Sequence, residues 1–421
     1  MTTEPSKKNT NLNLLILLLI LGITFVDTIN GFLVTNNFIS VSKPYKFFIL
    51  VLMILKLVST LRVNKTQLLI LISFTSFFIG YFAYLIETGN LTLFGQNFIE
   101  SVKYFIWPIS YVYFSKLYSD KKNSTTKLVY KIIGISYLVL LANIFIGLFG
   151  FGYQFYPRYD TGVKGFFFSG NEFSLLFILL TFFMAWKIHL RSPTRYYAFM
   201  ILSLFLAFNI GSKTTILGVV GIFLIILTSN TKVSLVRAKP KKIALFAALF
   251  LILPILGWAF VKANQNYFDN FIFKRLKIYN YDFVTWVLSK RNLVAKEGFE
   301  VFNNLNIFSK FFGQGEESFQ TNFDIIELDF IDLFLNHGYL GFFFYFLLLF
   351  SILKDLFRNY KKSNFNKALL YLYLMVVFFL ANLAGHIINT GVPGFFIGMI
   401  FAMHQLGGFN LIDSKKNESF S

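Results

Sequence analysis

The run LNLLILLLILGITFVDTING, Leu12–Gly31, decides the fold class, because a membrane-spanning helix needs about 20 mostly apolar residues. Similar runs recur along the chain, of which 56% is hydrophobic and only 14% is charged. We therefore predict an all-α integral membrane protein with about twelve transmembrane helices. The predicted spans are 12–31, 44–61, 67–86, 97–118, 128–150, 171–188, 195–210, 213–229, 243–262, 328–350, 367–388 and 392–410.

The orientation of the chain follows from its lysine and arginine residues, which resist export when they lie in short connections. Their distribution predicts that both termini are cytoplasmic. It gives four regions: spans one to nine in 1–262, a long extracytoplasmic loop at 263–327, spans ten to twelve in 328–410 and a cytoplasmic tail at 411–421. The net charge of +19 is thus mostly explained by topology, without a nucleic-acid partner. The absence of cysteine excludes disulfides, thiolate metal sites and a thiol nucleophile.

The long loop carries many basic residues, although positive charge is normally retained inside the cell. This predicts an anionic ligand at the outer face. Its segment Leu288–Arg291 precedes a predicted amphipathic helix that ends near Asn304. Such a helix would lie along the membrane surface and bring Arg291 over the opening of the site. Gly313 and Gly315 predict a tight turn after it.

A second polar region follows the fifth span, at Tyr156–Gly165, and continues into Phe166–Glu172. Arg158 could hold a phosphate through two parallel hydrogen bonds, and Asn171 could cap the next helix. We predict that Arg158 binds phosphate and that the other polar side chains of this region bind substrate, namely Lys164, Asn171 and Glu172. The alternative is an interfacial turn with an aromatic anchor and a routine cap.

A very short outer turn, Asn209–Thr215, places Lys213 close to membrane depth. It is not a nucleotide-binding phosphate loop, because Ser212 separates Gly211 from Lys213. Lys213 either contacts an anionic ligand, as we predict, or extends to the lipid headgroups.

Acidic residues precede the tenth span, in Glu327-Leu328-Asp329-Phe330-Ile331-Asp332. The helix dipole accounts for one or two of them, but not readily for three at the lip of one span. One could act as a general base, with Glu327 or Asp329 first and His386 of the eleventh span second. Alternatively, two could hold a divalent cation. Asp332, which shares a helix face with Asp329, is predicted to bind substrate.

These features resemble, in their order, the Wzy-type polysaccharide polymerases and the related O-antigen ligase superfamily. The resemblance covers residues 100 to 400 and is closest to capsule or exopolysaccharide polymerases of Gram-positive type. The acidic stretch stands where many ligases have a His-Asn pair, and Asn336-His337 reverses that pair. The matching pieces are Arg158, Gly165–Glu172 (GFFFSGNE), Gly211–Thr215 (GSKTT), Ser289–Arg291 (SKR), Phe312–Gly315 (FGQG), Glu327–Asp332 (ELDFID), Gly338–Gly341 (GYLG) and Gly385-His386.

The resemblance implies a metal-independent glycosyltransferase of the membrane-embedded GT-C class in the bacterial cytoplasmic membrane, with no cofactor. Its substrates would be polyprenyl-diphosphate-linked oligosaccharides, and a chain-length regulator is a candidate partner. Arg158, Arg291 and Lys213 would stabilise the diphosphate leaving group. The alternatives are a lipid-linked oligosaccharide flippase or other transporter, a peptidoglycan-type polymerase, and a ligase-like transferase to another acceptor.

Overall fold

A computed structural model describes residues 7–59, 64–120, 122–157, 161–229, 285, 288–320 and 326–406. Most of these residues are helical, as expected in lipid, where the backbone must satisfy its own hydrogen bonds. The elements are α1 (Lys7–Thr35), α2 (Ser42–Val58), α3 (Lys65–Thr88), α4 (Leu91–Asp120), α5 (Lys122–Leu148), β1 (Tyr153–Tyr156), β2 (Thr161–Gly165), α6 (Gly170–Arg191), α7 (Pro193–Ile210), α8 (Lys213–Ser229), α9 (Arg291–Asn304), α10 (Ile307–Phe312), α11 (Glu316–Gln320), α12 (Asp329–Asn359), a 3-10 turn (Tyr360–Lys362), α13 (Asn364–Tyr373), a π-helical segment (Leu374–Leu380), α14 (Ala381–Ala384), α15 (Val392–Ala402) and a 3-10 turn (Met403–Leu406).

The chain is a multi-pass helical membrane protein. In its described part, six helices are long and apolar enough to cross a membrane, and two shorter apolar helices accompany them. The predicted ninth span, most of the long loop before residue 288 and the predicted tail at 411–421 lie outside the described residues. The six long helices are Leu12–Thr35, Lys65–Thr88, Thr126–Leu148, Gly170–Arg191, Asp329–Lys362 and Asn364–Leu383.

Several predicted span ends differ from the observed helix ends, and two of the differences have a clear structural cause. The eleventh span was predicted to reach residue 388, but the helix ends at Ala384, because Gly385 and His386 adopt positive φ angles of 68° and 57°. The tenth was predicted to end at residue 350, but α12 continues to Asn359. Buried side chains continue along the added turns of α12, so packing extends the helix beyond the apolar run.

The buried middle part of α4 contacts both α12 and α15. Pro108 lies inside α4, so the carbonyl of Tyr104, four residues earlier, lacks its usual helical partner. The Tyr345 hydroxyl of α12 donates to that carbonyl at 2.9 Å and accepts from Trp107 Nε1 at 3.0 Å. Helix α15 approaches α4 closely at Gly398, where a Cβ atom would lie 2.4 Å from a side-chain atom of α4.

A break in α12 fixes the segment that follows α10. Gly338 has φ 65° and ψ −172°, which interrupts the helix. The carbonyl of Asn336 is thereby available to accept hydrogen bonds from the backbone of Gln314 at 3.2 Å and of Gly315 at 2.9 Å. Gly313 and Gly315, where a tight turn was predicted, have positive φ angles of 77° and 93°.

Gly338→Ala is expected to lower the thermal midpoint of unfolding. A positive φ costs an L-residue about 1–2 kcal/mol, and the new Cβ would lie 2.5 Å from the Lys310 carbonyl oxygen. Gly134→Ala in α5 is the matched control, because nothing lies within 4 Å of its new Cβ and alanine favours a helix. Tryptophan fluorescence of the purified variants measures both midpoints. A midpoint for Gly338→Ala equal to that of Gly134→Ala would contradict the packing described here.

The strands β1 and β2 form an antiparallel hairpin in the register Tyr153–Gly165, Gln154–Val163 and Tyr156–Thr161. Asn143 of α5 holds the hairpin, since its Oδ1 accepts from the backbone of Phe166 at 3.0 Å. The hairpin, α9–α11 and the first turns of α2, α6, α12 and α15 lie at one end of the bundle, which we call the hairpin end.

Candidate functional site

Three side chains that the sequence predicted as functional meet at the hairpin end. Arg291, the first residue of α9, donates from Nη2 to a carboxylate oxygen of Glu327 and from Nη1 to the Leu383 carbonyl. The other carboxylate oxygen of Glu327 lies 3.8 Å from Nε2 of His386. The three side chains are 17%, 37% and 31% exposed, so this network is partly accessible. We call it the Arg291–Glu327–His386 network.

Unusual backbone conformations concentrate around this network. Five non-glycine residues of the described chain have positive φ, and four of them are Ser289, Lys290, Glu327 and His386. Positive φ costs free energy in a non-glycine residue, and such residues persist where the surrounding structure fixes them. Their position shows that the network is held by packing of distant segments. The sequence showed the residue types, but not these conformations.

Asp329 fixes the backbone that carries His386. One of its carboxylate oxygens accepts from the backbone of His386 at 2.5 Å, and the other accepts from Ile387 at 2.7 Å and Ile388 at 2.6 Å. The residue is only 3% exposed. Both oxygens are therefore occupied by the segment that follows α14. Asp332 makes one such bond, accepting from the backbone of Leu328 at 2.9 Å.

Two further carboxylates hold the same segment, which runs from Gly385 to the start of α15. Glu316 of α11 accepts from the Asn389 amide at 2.9 Å. Glu172 of α6 accepts from the backbone of Gly391 at 2.7 Å and of Val392 at 3.3 Å. Glu172 thus lies at the N-terminus of α15, where the helix dipole favours a negative charge. Apart from His386, the segment is buried, and its polar groups depend on acidic side chains of three other elements.

Below the network lies a cavity of about 640 Å³. His386, Asn389 and Glu172 form part of its wall, and side chains of α2 and α4 form much of the rest. Phe47 of α2 and Ile99 of α4 line the cavity and are each 50% exposed, so it reaches the outer surface of the bundle between these two helices. A membrane-embedded chain meets lipid at such a place.

Four charged residues of this cavity were not predicted as functional, namely Asp27, Lys43, Lys46 and Lys103. Lys46 of α2 lies 3.3 Å from Asp27 of α1 and 3.7 Å from Glu172, and Lys103 of α4 pairs with Glu100. Asp27 is a charge within the first apolar run, and an ionisable residue in a span is a signal of function. Lys46 and Lys103 gave a weaker signal, because each lies near the start of its predicted span, 44–61 and 97–118.

Among the remaining predicted residues, Lys164, Asn171 and Lys213 do not line the cavity. Lys164 donates to the Phe168 carbonyl at 2.8 Å, and burial lowers the pKa of its amine. Lys213 begins α8 beyond the hairpin. The predicted cap Asn171 is wrong, because Ser169 caps α6 by accepting from the Glu172 backbone. Arg158 lies outside the described residues.

The sequence left open the alternative that two of the acidic residues before the tenth span hold a divalent cation. Among the described residues, no three His, Cys, Asp or Glu side chains come together as a candidate metal site. The carboxylates of Asp329 and Asp332 accept the backbone hydrogen bonds given above.

No protein-family model matches the chain, and no curated protein has detectable similarity to it.

Proposed function

We propose that this chain is a Wzy-type polysaccharide polymerase, with about twelve spans in a GT-C-like arrangement and its hairpin end outside the cell. It would join polyprenyl-diphosphate-linked oligosaccharide repeat units into a capsule or exopolysaccharide. One observation carries the proposal: His386 of the network forms the wall of a cavity that reaches lipid between α2 and α4. A substrate with a long lipid chain and an anionic head needs both a lateral entrance and polar groups above it.

The reaction is a glycosyl transfer. The hydroxyl of one lipid-linked glycan attacks the anomeric carbon of another, a new C–O bond forms, and the bond from that carbon to the diphosphate breaks. The diphosphate leaves on its lipid, and the hydroxyl proton passes to a base. Because the substrates are already activated, no nucleotide or cofactor is required.

Glu327 is the best candidate for the base. It is the most exposed member of the network, and one of its oxygens faces His386 at 3.8 Å, so a bound hydroxyl could reach the carboxylate. Asp329, the other predicted base, has both oxygens engaged by backbone N–H groups, and we assign it to holding the His386 backbone. His386 would orient the acceptor and share the proton.

The leaving diphosphate needs positive charge near the mouth of the cavity. Arg291 supplies it within the network, and Lys43, an exposed residue of the cavity rim, supplies it at the entrance. Arg158 and Lys213 keep this role as predictions from the sequence. Lys164, Asn171, Glu172 and Asp332 stay predictions as substrate-binding residues.

Replacement of Arg291 tests its role. Arg291→Ala is expected to lower the polymerisation rate about 100- to 1,000-fold, as loss of one donor to a developing charge does in other enzymes. Arg291→Lys should recover only part of the rate, because one ammonium group replaces a guanidinium whose two nitrogens reach Glu327 and Leu383. Purified protein is incubated with a lipid-diphosphate-linked repeat unit, and glycan length is followed on gels.

A flippase is the second candidate, and the buried charges of Asp27, Lys46 and Glu172 are the observation in its favour. These charges lie near the hairpin end, however, since Lys46 and Glu172 are in the first turns of their helices. A transport pathway would instead be lined by charged residues as far as the midplane of the membrane. In vesicles, transfer of labelled lipid without longer glycans would refute the polymerase. Glycan joined once to another acceptor would indicate a ligase.

A further inference from the structure

The charges beside the cavity do not balance. Lys46 is the ammonium partner of both Asp27 and Glu172, at 3.3 and 3.7 Å, so one positive charge faces two negative ones. Lys103, which also lines the cavity, has a carboxylate partner of its own in Glu100. Counted as formal charges, these pairs leave one excess negative charge where α1, α2 and α6 meet, and the N-terminus of α15 offsets part of it at Glu172. Burying an uncompensated charge is costly, so a ligand that brings one positive charge would be favoured there.

Two hydrogen-bond acceptors of the same wall lack partners within the described chain. Asp27, 3% exposed, accepts from the Ser42 hydroxyl at 2.6 Å and from Lys46 through Oδ1, whereas its Oδ2 accepts nothing. Asn389, 7% exposed, donates to Glu316, but its Oδ1 is likewise unpartnered. Both residues line the cavity. Buried acceptors are nearly always satisfied in folded proteins, so binding of a donor group would be favoured at both oxygens.

We infer that the cavity binds a primary ammonium group through Asp27, with Asn389 as a further acceptor. An ammonium group carries one positive charge and three donors. It would therefore neutralise the excess charge and donate hydrogen bonds to the unpartnered oxygens. A phosphate or carboxylate would worsen both. Lys43 does not compete for the same carboxylates, because it is exposed at the rim.

The ammonium group has two possible carriers. One is an amino sugar of the lipid-linked oligosaccharide, and this source rests on the proposed function. The other is the ethanolamine headgroup of a membrane lipid that enters between α2 and α4. The cavity volume of about 640 Å³ admits either group together with part of its neighbouring chain.

The test compares two probes that differ only at the amine: farnesyl-diphosphate-linked glucosamine and its N-acetylated counterpart. Native mass spectrometry of the full-length protein is expected to show at least about tenfold tighter binding of the free amine. Asp27→Asn should abolish this preference and Asp27→Glu should retain it. Asp355→Asn is the matched control, because Asp355 pairs with Arg358 in α12 away from the cavity. The control should keep the wild-type preference.

A second arm compares vesicles of phosphatidylethanolamine with vesicles of phosphatidylcholine. Retention and stabilisation of the protein by the first lipid alone, with no preference between the sugars, would assign the ammonium group to lipid. Equal affinity of the wild-type protein for the free and the acetylated sugar, together with equal affinity for the two lipids, would overturn the inference. This comparison needs no variant that might misfold. If sodium chloride stabilises the protein more than choline chloride does, and the free amine is not preferred over the acetylated one, the inference is overturned in favour of a metal cation. Polymer formed from the acetylated substrate leaves the proposed function standing in either case.

Discussion

Glu327→Gln is expected to lower the rate of glycan polymerisation by about 100- to 10,000-fold, the range typical for loss of a general base. Glutamine keeps the shape of the side chain and can still accept from Arg291, but it cannot take the proton of the attacking hydroxyl. The fold should survive, since Glu327 is 37% exposed and no buried group depends on its charge alone. Glycan length on gels and single-turnover consumption of the lipid-linked repeat unit measure the effect.

Glu300→Gln provides the matched control for that experiment. It removes the same charge from an exposed position of α9 that lies outside the network, so the rate should stay at the wild-type value. His386→Ala helps to separate the roles of the two groups. If Glu327→Gln polymerises at the wild-type rate while His386→Ala is inactive, the base is His386 and the assignment to Glu327 is wrong.

Asp329→Ala is expected to lower the free energy of unfolding by on the order of 3 kcal/mol or more, because each buried donor left unsatisfied costs about 1–3 kcal/mol. Three backbone N–H groups, those of His386, Ile387 and Ile388, lose their acceptor together. Polymerisation should fall as well, since the positive φ of His386 is no longer held. Thermal unfolding in detergent and the polymerisation assay give the two effects.

Asp332→Ala is the comparison that isolates this anchoring role. Asp332 belongs to the same acidic stretch but serves a single backbone N–H, that of Leu328, so its loss should cost about a third as much. Equal destabilisation by the two changes would refute the role given to Asp329. An Asp329→Ala protein that is as stable as the wild type but inactive would restore Asp329 as the catalytic base.

The sequence by itself determined the membrane class, the positions of most helices in the described chain and the residue types of the network. Apolar runs of spanning length have few alternative structures in lipid, which explains why α1, α3, α5 and α6 agree with the predicted spans. The amphipathic helix after Arg291 was also predicted correctly, ending at Asn304. These features depend on local sequence alone.

Only the tertiary structure decided which of the candidate residues lie together. Glu327 and Asp329 are two positions apart, yet one faces Arg291 and His386 and the other is buried against the backbone of the segment after α14. The pairing of Asp27 with Lys46, and the cavity beside it, likewise join helices that are separate in sequence. The physical reason is that composition and periodicity fix each helix in the membrane individually. The partners of a charged side chain depend on how those helices pack and on which backbone N–H groups the breaks between them leave to be satisfied.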